Sequence, residues 1–204
     1  MTSRFITFEG GEGSGKSTQA RLLAARLKDA GQTVVLTREP GGTEGAEAVR
    51  NLLVTGDPGR WTPWAEACLV NAARADHVAR VIRPALDRGE WVICDRFVDS
   101  TRAYQGAGKG IADAELCELH GRVTDNLWPD LTLVLRVNPV LGLARAGGRG
   151  DVEGRFEAHD GAFHARVSDF FGMLPDMEPK RCFGFDADQS VEALAAAIAA
   201  RVSA

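Results

Sequence analysis

The chain has 204 residues, a formal charge of -4 and 45% hydrophobic residues, enough for one core. The acidic balance argues against a general nucleic-acid binder, which is normally basic. No stretch approaches the roughly 18 apolar residues of a membrane span, and the opening MTSRFITFEGG lacks a positive-then-apolar leader pattern, so a cytoplasmic enzyme is expected.

Arg4 to Phe8 is a β-type run, and a glycine-rich segment follows it. Residues 18–30 place Ala20, Leu23, Ala24 and Leu27 on one helical face, with Gly31 as the stop. Gln32 to Thr37 reads as a second strand, broken by REPGG, and 44–54 as a helix. The loop 55–63 is rich in Gly and Pro. A long helical region is expected over 64–87, with Pro84 bending its last part. Trp91 to Cys94 is wholly apolar, as in a buried parallel strand. A helix over 113–127 and a strand over 131–137 follow. RAGGRGDVEG, residues 145–154, is polar and glycine-rich and reads as a mobile lid rather than a linker. A helix over 155–173, a short strand at 183–185 and a last helix from Ser190 complete the chain. Strands alternating with long helices predict a single three-layer α/β domain with a central parallel sheet.

Cys68, Cys94, Cys117 and Cys182 have no short ligand spacing and sit in or beside apolar runs. They read as mostly buried thiols of a reducing compartment. His77, His120, His159 and His164 show no ligand spacing either and read as structural or surface residues.

Gly10 to Ser17 reads GGEGSGKS and fills every fixed position of GxxxxGKS, between a strand and a helix. Glycines let successive backbone N–H groups turn inward around an anion, and the following helix N-terminus adds its own donors. Gly10, Gly11, Glu12, Gly13, Ser14, Gly15, Lys16, Ser17 and Thr18 are thus the candidate nucleotide-binding loop. Lys16 brings positive charge to the outer phosphates, and the Ser17 hydroxyl is a candidate Mg²⁺ ligand. The alternative, a turn that binds nothing, has motif and context against it. Phosphate chemistry on a nucleoside triphosphate follows; the acceptor does not.

Asp95 at the carboxyl end of the third strand should lie beside this loop and orient the Mg²⁺ shell, although an Asp–Arg pair can also simply close a helix N-terminus. Arg38 and Arg96 follow the second and third strands, so the fold should let both grip the phosphate of a second substrate. Asp99 and Ser100 could equally cap a turn. Arg74 sits mid-helix among alanines. Tyr104 is the only tyrosine, and its packing role stays open; Gln105 beside it can offer donor and acceptor to a base edge. Arg145, Arg149 and Arg155 punctuate the lid, where closing arginines would stabilise charge spread over a transferring phosphoryl group and closure would exclude water. Arg149, flanked by glycine, is the candidate catalytic contact. A solvated basic loop is the bland alternative.

FITFEGGEGSGKST (5–18), TREPGGT (37–43), RADHV (74–78), IRPAL (82–86), DRFVDSTRAYQGAGKG (95–110), PDLTLVLRVNP (129–139) and RFE (155–157) together resemble the thymidylate kinase family over most of the chain. The resemblance implies a P-loop nucleoside monophosphate kinase fold, a homodimer, and γ-phosphoryl transfer from ATP to dTMP. It is similar to the bacterial variety with catalytic arginines in the lid, here about 142–156. In that pattern Glu12 lies near the acceptor sugar and phosphate, and Arg38 and Arg96 hold the monophosphate. Arg74 and Gln105 meet the thymine edge, Tyr104 lies beneath the deoxyribose, and Glu39 and Pro40 belong to the loop closing the pocket; Ser100 falls in the same block. Three positions depart from it: Val70 where a phenylalanine usually stacks on the base, Arg136 in place of Asp, and Gly154 in place of Asp before the lid arginine. Val70 keeps open an acceptor with another or modified base. A non-catalytic P-loop switch would not need Arg38, Arg96 and Gln105.

Overall fold

The computed structural model describes residues 5–138, 140–142, 144 and 154–203. Five strands form one parallel sheet: β1 (Phe5–Glu9), β2 (Val34–Arg38), β3 (Trp91–Asp95), β4 (Leu131–Arg136) and β5 (Cys182–Asp186), in the order β2-β3-β1-β4-β5. All five residues of β1 are buried, as expected for a central strand covered on both faces. Register sets Phe8 beside Asp95 on one side and beside Leu133 on the other, so the strand ends that carry chemistry finish together.

Alternation along the strands sorts the core into two layers. Ile6, Phe8, Ile93, Leu133 and Leu135 pack on α1 (Lys16–Asp29) and the C-terminal helix, Val191–Ser203. On the opposite face Phe5, Val92 and Cys94 pack with Val78, Ile82 and Phe97. Val134 there meets Phe163, Val167 and Phe171 of the helix Gly161–Met177. The three-layer α/β expectation is met.

Between β2 and β3 lie α2 (Glu44–Val54) and α3 (Pro63–His77), both N-capped by threonine: Thr43 Oγ1 accepts from Ala46 N and Thr62 Oγ1 from Ala65 N. The single helix expected over 64–87 is interrupted. After His77 the chain slips into a π turn, Val78–Ile82, where Arg83 N–H bonds Val78 O, before resuming as α4 (Arg83–Asp87). Pro84 has no N–H to give back to the preceding turn, so the disturbance falls before the proline rather than after it.

A second such stretch was not legible: α5 (Val98–Thr101) runs on as a π segment, Arg102–Gly108. Its glycines and short length hide it. The helix expected over 113–127 ends at Thr124, because Asp125 and Asn126 adopt φ of 51° and 54°; it is α6 (Asp113–Thr124). The helix expected from 155 starts instead at Gly161, where Asp160 accepts from Phe163 N, and is α7; the helix at Val191–Ser203 is α8. Of the cysteines, Cys94 and Cys182 are buried, Cys117 is half-buried and Cys68 is exposed, so the expectation of buried thiols holds for only part of the set.

Candidate active site

The segment between β1 and α1 wraps around the end of the sheet. Gly10 has φ of 139°, and a Cβ there would stand 2.2 Å from Leu135 O. No side chain fits, which answers why the loop starts on glycine. Gly15 caps α1 with φ of 87°, and no acidic residue occupies the first turn. The helix therefore offers free N–H groups and an uncompensated positive end to an anion.

Lys16 folds back over the loop, its Nζ donating to Gly11 O at 2.7 Å and Ser14 Oγ at 3.2 Å. Burial, with Arg96 nearby, lowers its pKa to about 8. Ser17 Oγ donates to Asp95 Oδ2 in a short hydrogen bond. A hydroxyl and a carboxylate at the mouth of a phosphate loop are hard oxygen donors and fit Mg²⁺, which keeps water and substrate oxygens for most of its shell. Among the described residues no group of three or more His, Cys, Asp or Glu side chains could form an all-protein metal cage.

A cavity of about 500 Å³ runs from this loop toward α3. Arg96 stands at its middle. Its backbone N–H bonds Phe8 O at 2.9 Å. Its guanidinium reaches Gly10 O at 3.1 Å, Ser100 Oγ at 3.0 Å, Glu12 Oε1 at 2.9 Å and Tyr104 OH at 3.2 Å. Tyr104 OH donates to the same Glu12 oxygen at 2.7 Å. Beneath them the buried Glu9 accepts from Phe97 N at 2.7 Å and Ser100 Oγ at 2.6 Å. Burial and then the Asp99 charge push its pKa up to about 8. Arg38 lines the cavity but is ion-paired with Glu47 at 3.1 Å and half exposed.

At the far end Arg74 is fully buried. It donates to Glu39 Oε2 at 2.8 Å, Phe97 O at 3.1 Å and Thr101 Oγ1 at 2.9 Å. The other Glu39 oxygen lies 3.0 Å from His77 Nδ1. Burial alone would raise the Glu39 carboxyl, yet the Arg74 charge and the His77 contact hold it below the usual range. Val70, Phe156 and Gln105 close this end.

The thymidylate kinase family model matches residues 8–198. The chain belongs to the thymidylate kinase family. It is 52% identical over 194 residues to a thymidylate kinase of Caulobacter vibrioides, covering 95% of this chain and 93% of that one. It is 50% identical over 198 residues to one of Rhizorhabdus wittichii, covering 96% and 95%. The crystal structure of thymidylate kinase from Ehrlichia chaffeensis superimposes with a TM-score of 0.81 at 34% identity, over 100% of both chains.

Within this thymidylate kinase fold, Glu12, Lys16, Ser17, Thr18, Arg38, Pro40, Val70, Asp95, Arg96, Ser100, Tyr104 and Gln105 all line one cavity. Gly13 and Gly15 line it too, whereas Gly10, Gly11 and Ser14 shape the loop from behind. Glu39 also lines it, but both its carboxylate oxygens are engaged by Arg74 and His77. Arg145 and Arg149 fall outside the described residues, as does most of the expected lid. Arg155 differs from the expectation of a closing lid arginine: it is buried, donating to Leu53 O, Pro58 O and Glu66 Oε2. Arg136 is exposed and does not line this cavity.

Sequence reasoning missed Glu9, Arg50, Glu66 and Phe156. Arg50 Nη1 donates to Pro40 O at 3.0 Å, bracing the loop after β2. Glu66 gave a faint signal, a carboxylate on the apolar side of a helix. Its carboxyl is raised by burial but held below the usual range overall by hydrogen bonds from Arg155, Lys109 and Gln105.

Proposed function

We propose that this chain moves the γ-phosphoryl group of ATP to the 5′-phosphate of dTMP, giving dTDP and ADP. One observation carries the reading: a single cavity joins a phosphate loop, a central arginine on a Glu12–Tyr104 support, and a far end with the polar groups of Arg74 and Gln105. The thymidylate kinase relatives and the family model support dTMP as acceptor.

In this reading the loop from Gly10 to Thr18 holds the ATP phosphates through backbone N–H groups, and Lys16 lies along the outer ones. Ser17 and Asp95 would hold Mg²⁺, which supplies charge neutralisation on the phosphate oxygens. Arg96 releases its contact with Glu12 as the acceptor phosphate arrives, and Arg38 turns from Glu47 to the same anion. An acceptor oxygen attacks Pγ while the bond from Pγ to the bridging oxygen of ADP breaks, so positioning and charge do most of the work. Arg149 closes over the transferring group from the lid, within a single domain. Tyr104 supports the sugar. Glu39 acts through Arg74, holding the guanidinium at the base edge, and Pro40 walls the pocket. A cytoplasmic homodimer is the expected setting. No helix among the described residues is long and apolar enough to cross a membrane.

Val70 favours one second reading, a kinase whose acceptor carries another or modified base, because valine covers less of a base face than an aromatic ring. The deciding experiment is ADP release with ATP and Mg²⁺, comparing dTMP, dUMP, dCMP, dGMP and no acceptor. Strong dependence on dTMP is expected. A dTMP preference below about tenfold, roughly 1.4 kcal/mol, overturns dTMP as the dedicated acceptor.

A further inference from the structure

Glu66 is completely buried in α3. Its Oε1 accepts from Gln105 Nε2 at 2.8 Å, and its Oε2 accepts from Lys109 Nζ at 2.9 Å and from Arg155. An ionised carboxylate only accepts hydrogen bonds, whereas a glutamine amide has one accepting and one donating end. With Glu66 on one side, the Gln105 NH₂ must face it; the flipped amide would set two oxygens against each other in a buried site. The Gln105 carbonyl oxygen is then left for the cavity that Gln105 lines. Arg74, at the same end, carries only donors.

We infer that Glu66 is a specificity-determining positioning residue: by fixing the Gln105 amide, it makes the far end of the cavity select a base with a ring N–H beside a carbonyl, and reject a base with a ring acceptor beside an amino group. Thymine and uracil are of the first kind, cytosine of the second. The inference rests on the dTMP kinase reading and deepens it. Lys109 and Arg155 keep Glu66 charged and fixed, and Arg155 also ties α3 to the end of α2 through Leu53 O. A site built to pair a substrate N–H discriminates strongly, because the wrong base leaves buried polar groups unpaired.

The test compares kcat/KM for dTMP and dCMP in the wild type and in Glu66→Gln, whose amide oxygen stays on Lys109 and Arg155 so that its NH₂ faces Gln105 and turns the Gln105 oxygen away from the cavity. The dTMP-to-dCMP ratio is expected to fall about tenfold or more, with the KM for ATP unchanged. Equal loss on both acceptors, leaving the ratio intact, marks a merely structural residue and overturns the inference. Should Glu66→Gln fail to fold, wild-type kinetics with dTMP methylated at N3 decide: at least about a tenfold loss relative to dTMP supports the fixed carbonyl, and equal use overturns it. A wild type inactive on dTMP overturns the kinase reading and the inference with it. Activity on dTMP with an unchanged ratio overturns the inference alone.

Discussion

Arg96 and Glu12 are ion-paired across the middle of the cavity, Nη2 to Oε1 at 2.9 Å, in partly buried surroundings. The pair holds the arginine fork between the phosphate loop and the acceptor end before any phosphate has to be gripped. A planar fork meets two phosphate oxygens at once, and an ammonium does not. Arg96→Lys should therefore lower kcat/KM for dTMP about 100-fold, while the KM for ATP changes less than about threefold. Steady-state kinetics with each substrate varied in turn check this, and equal losses for both would remove the acceptor-side role.

Lys16 carries a pH dependence. Its pKa of about 8 means that the uncomplexed loop loses its ammonium as pH rises through that value. A bound triphosphate favours the charged form and pulls the pKa back up. ATP binding should weaken about tenfold between pH 7 and pH 9, and take up protons above pH 8. Calorimetry at pH 8.5 in two buffers of different ionisation enthalpy measures the uptake directly. Lys16→Ala should bind weakly at every pH.

Ser17 and Asp95 are the paired oxygens proposed for Mg²⁺. Asp95→Asn keeps the shape but removes a charge from the shell. The Mg²⁺ concentration giving half-maximal activity should rise about tenfold, with a smaller rise for Ser17→Ala. A Mg²⁺ titration of activity at saturating ATP reads both.

Phe156 makes an edge contact with Tyr104, centroids 5.6 Å apart, and packs near Val70. It supplies an aromatic wall at the end where Val70 offers little. Phe156→Ala should raise the KM for dTMP about tenfold, in line with a lost aromatic contact plus buried area, and leave the KM for ATP nearly unchanged.

His120 sets an acid limit on stability. Its ring lies between Phe97 and Trp128, and Nε2 donates to Leu127 O at 2.8 Å. Burial, reinforced by the Arg74 charge, lowers its pKa from 6.5 to about 4. Between these values the unfolded chain binds more protons than the folded one, so stability rises with pH over that window and is lost on acidification. The contribution should be on the order of 2–3 kcal/mol by pH 4 and flat above about pH 7. Denaturant midpoints of the wild type and His120→Gln across pH 4 to 8 test it. Equal slopes would reassign the acid sensitivity.

The phosphate loop was readable because each of its requirements is local: an apolar strand, glycines at tight turns, Lys16 and Ser17 opening a helix. The central parallel sheet was readable from strands alternating with long helices, but its order β2-β3-β1-β4-β5 was not, because no local pattern records which strands pair. The Glu66 network was not readable, since Glu66 and Arg155 are 89 positions apart and nothing in either neighbourhood names the other. Arg155 shows the limit of local reading: an arginine in a polar, glycine-rich context looked exposed, and only three-dimensional packing buries it. The π segment at Arg102–Gly108 escaped for the opposite reason, whereas Pro84 had marked the disturbance near Val78–Ile82. A one-residue slip in hydrogen-bond register leaves no compositional mark.

Arg96 has φ of 71°, a left-handed backbone at a residue with a long side chain. Such a position favours glycine, and holding a larger residue there costs about 1 kcal/mol or more. The guanidinium offsets that cost through its bonds to Gly10 O, Ser100 Oγ, Glu12 Oε1 and Tyr104 OH. Arg96→Gly would relax the backbone but take a charged partner from Glu12, so the gain is opposed by the lost network. The strained turn and the arginine are thus tied together: neither a glycine nor a shorter side chain at this position keeps both the fold of the loop and its cross-bracing.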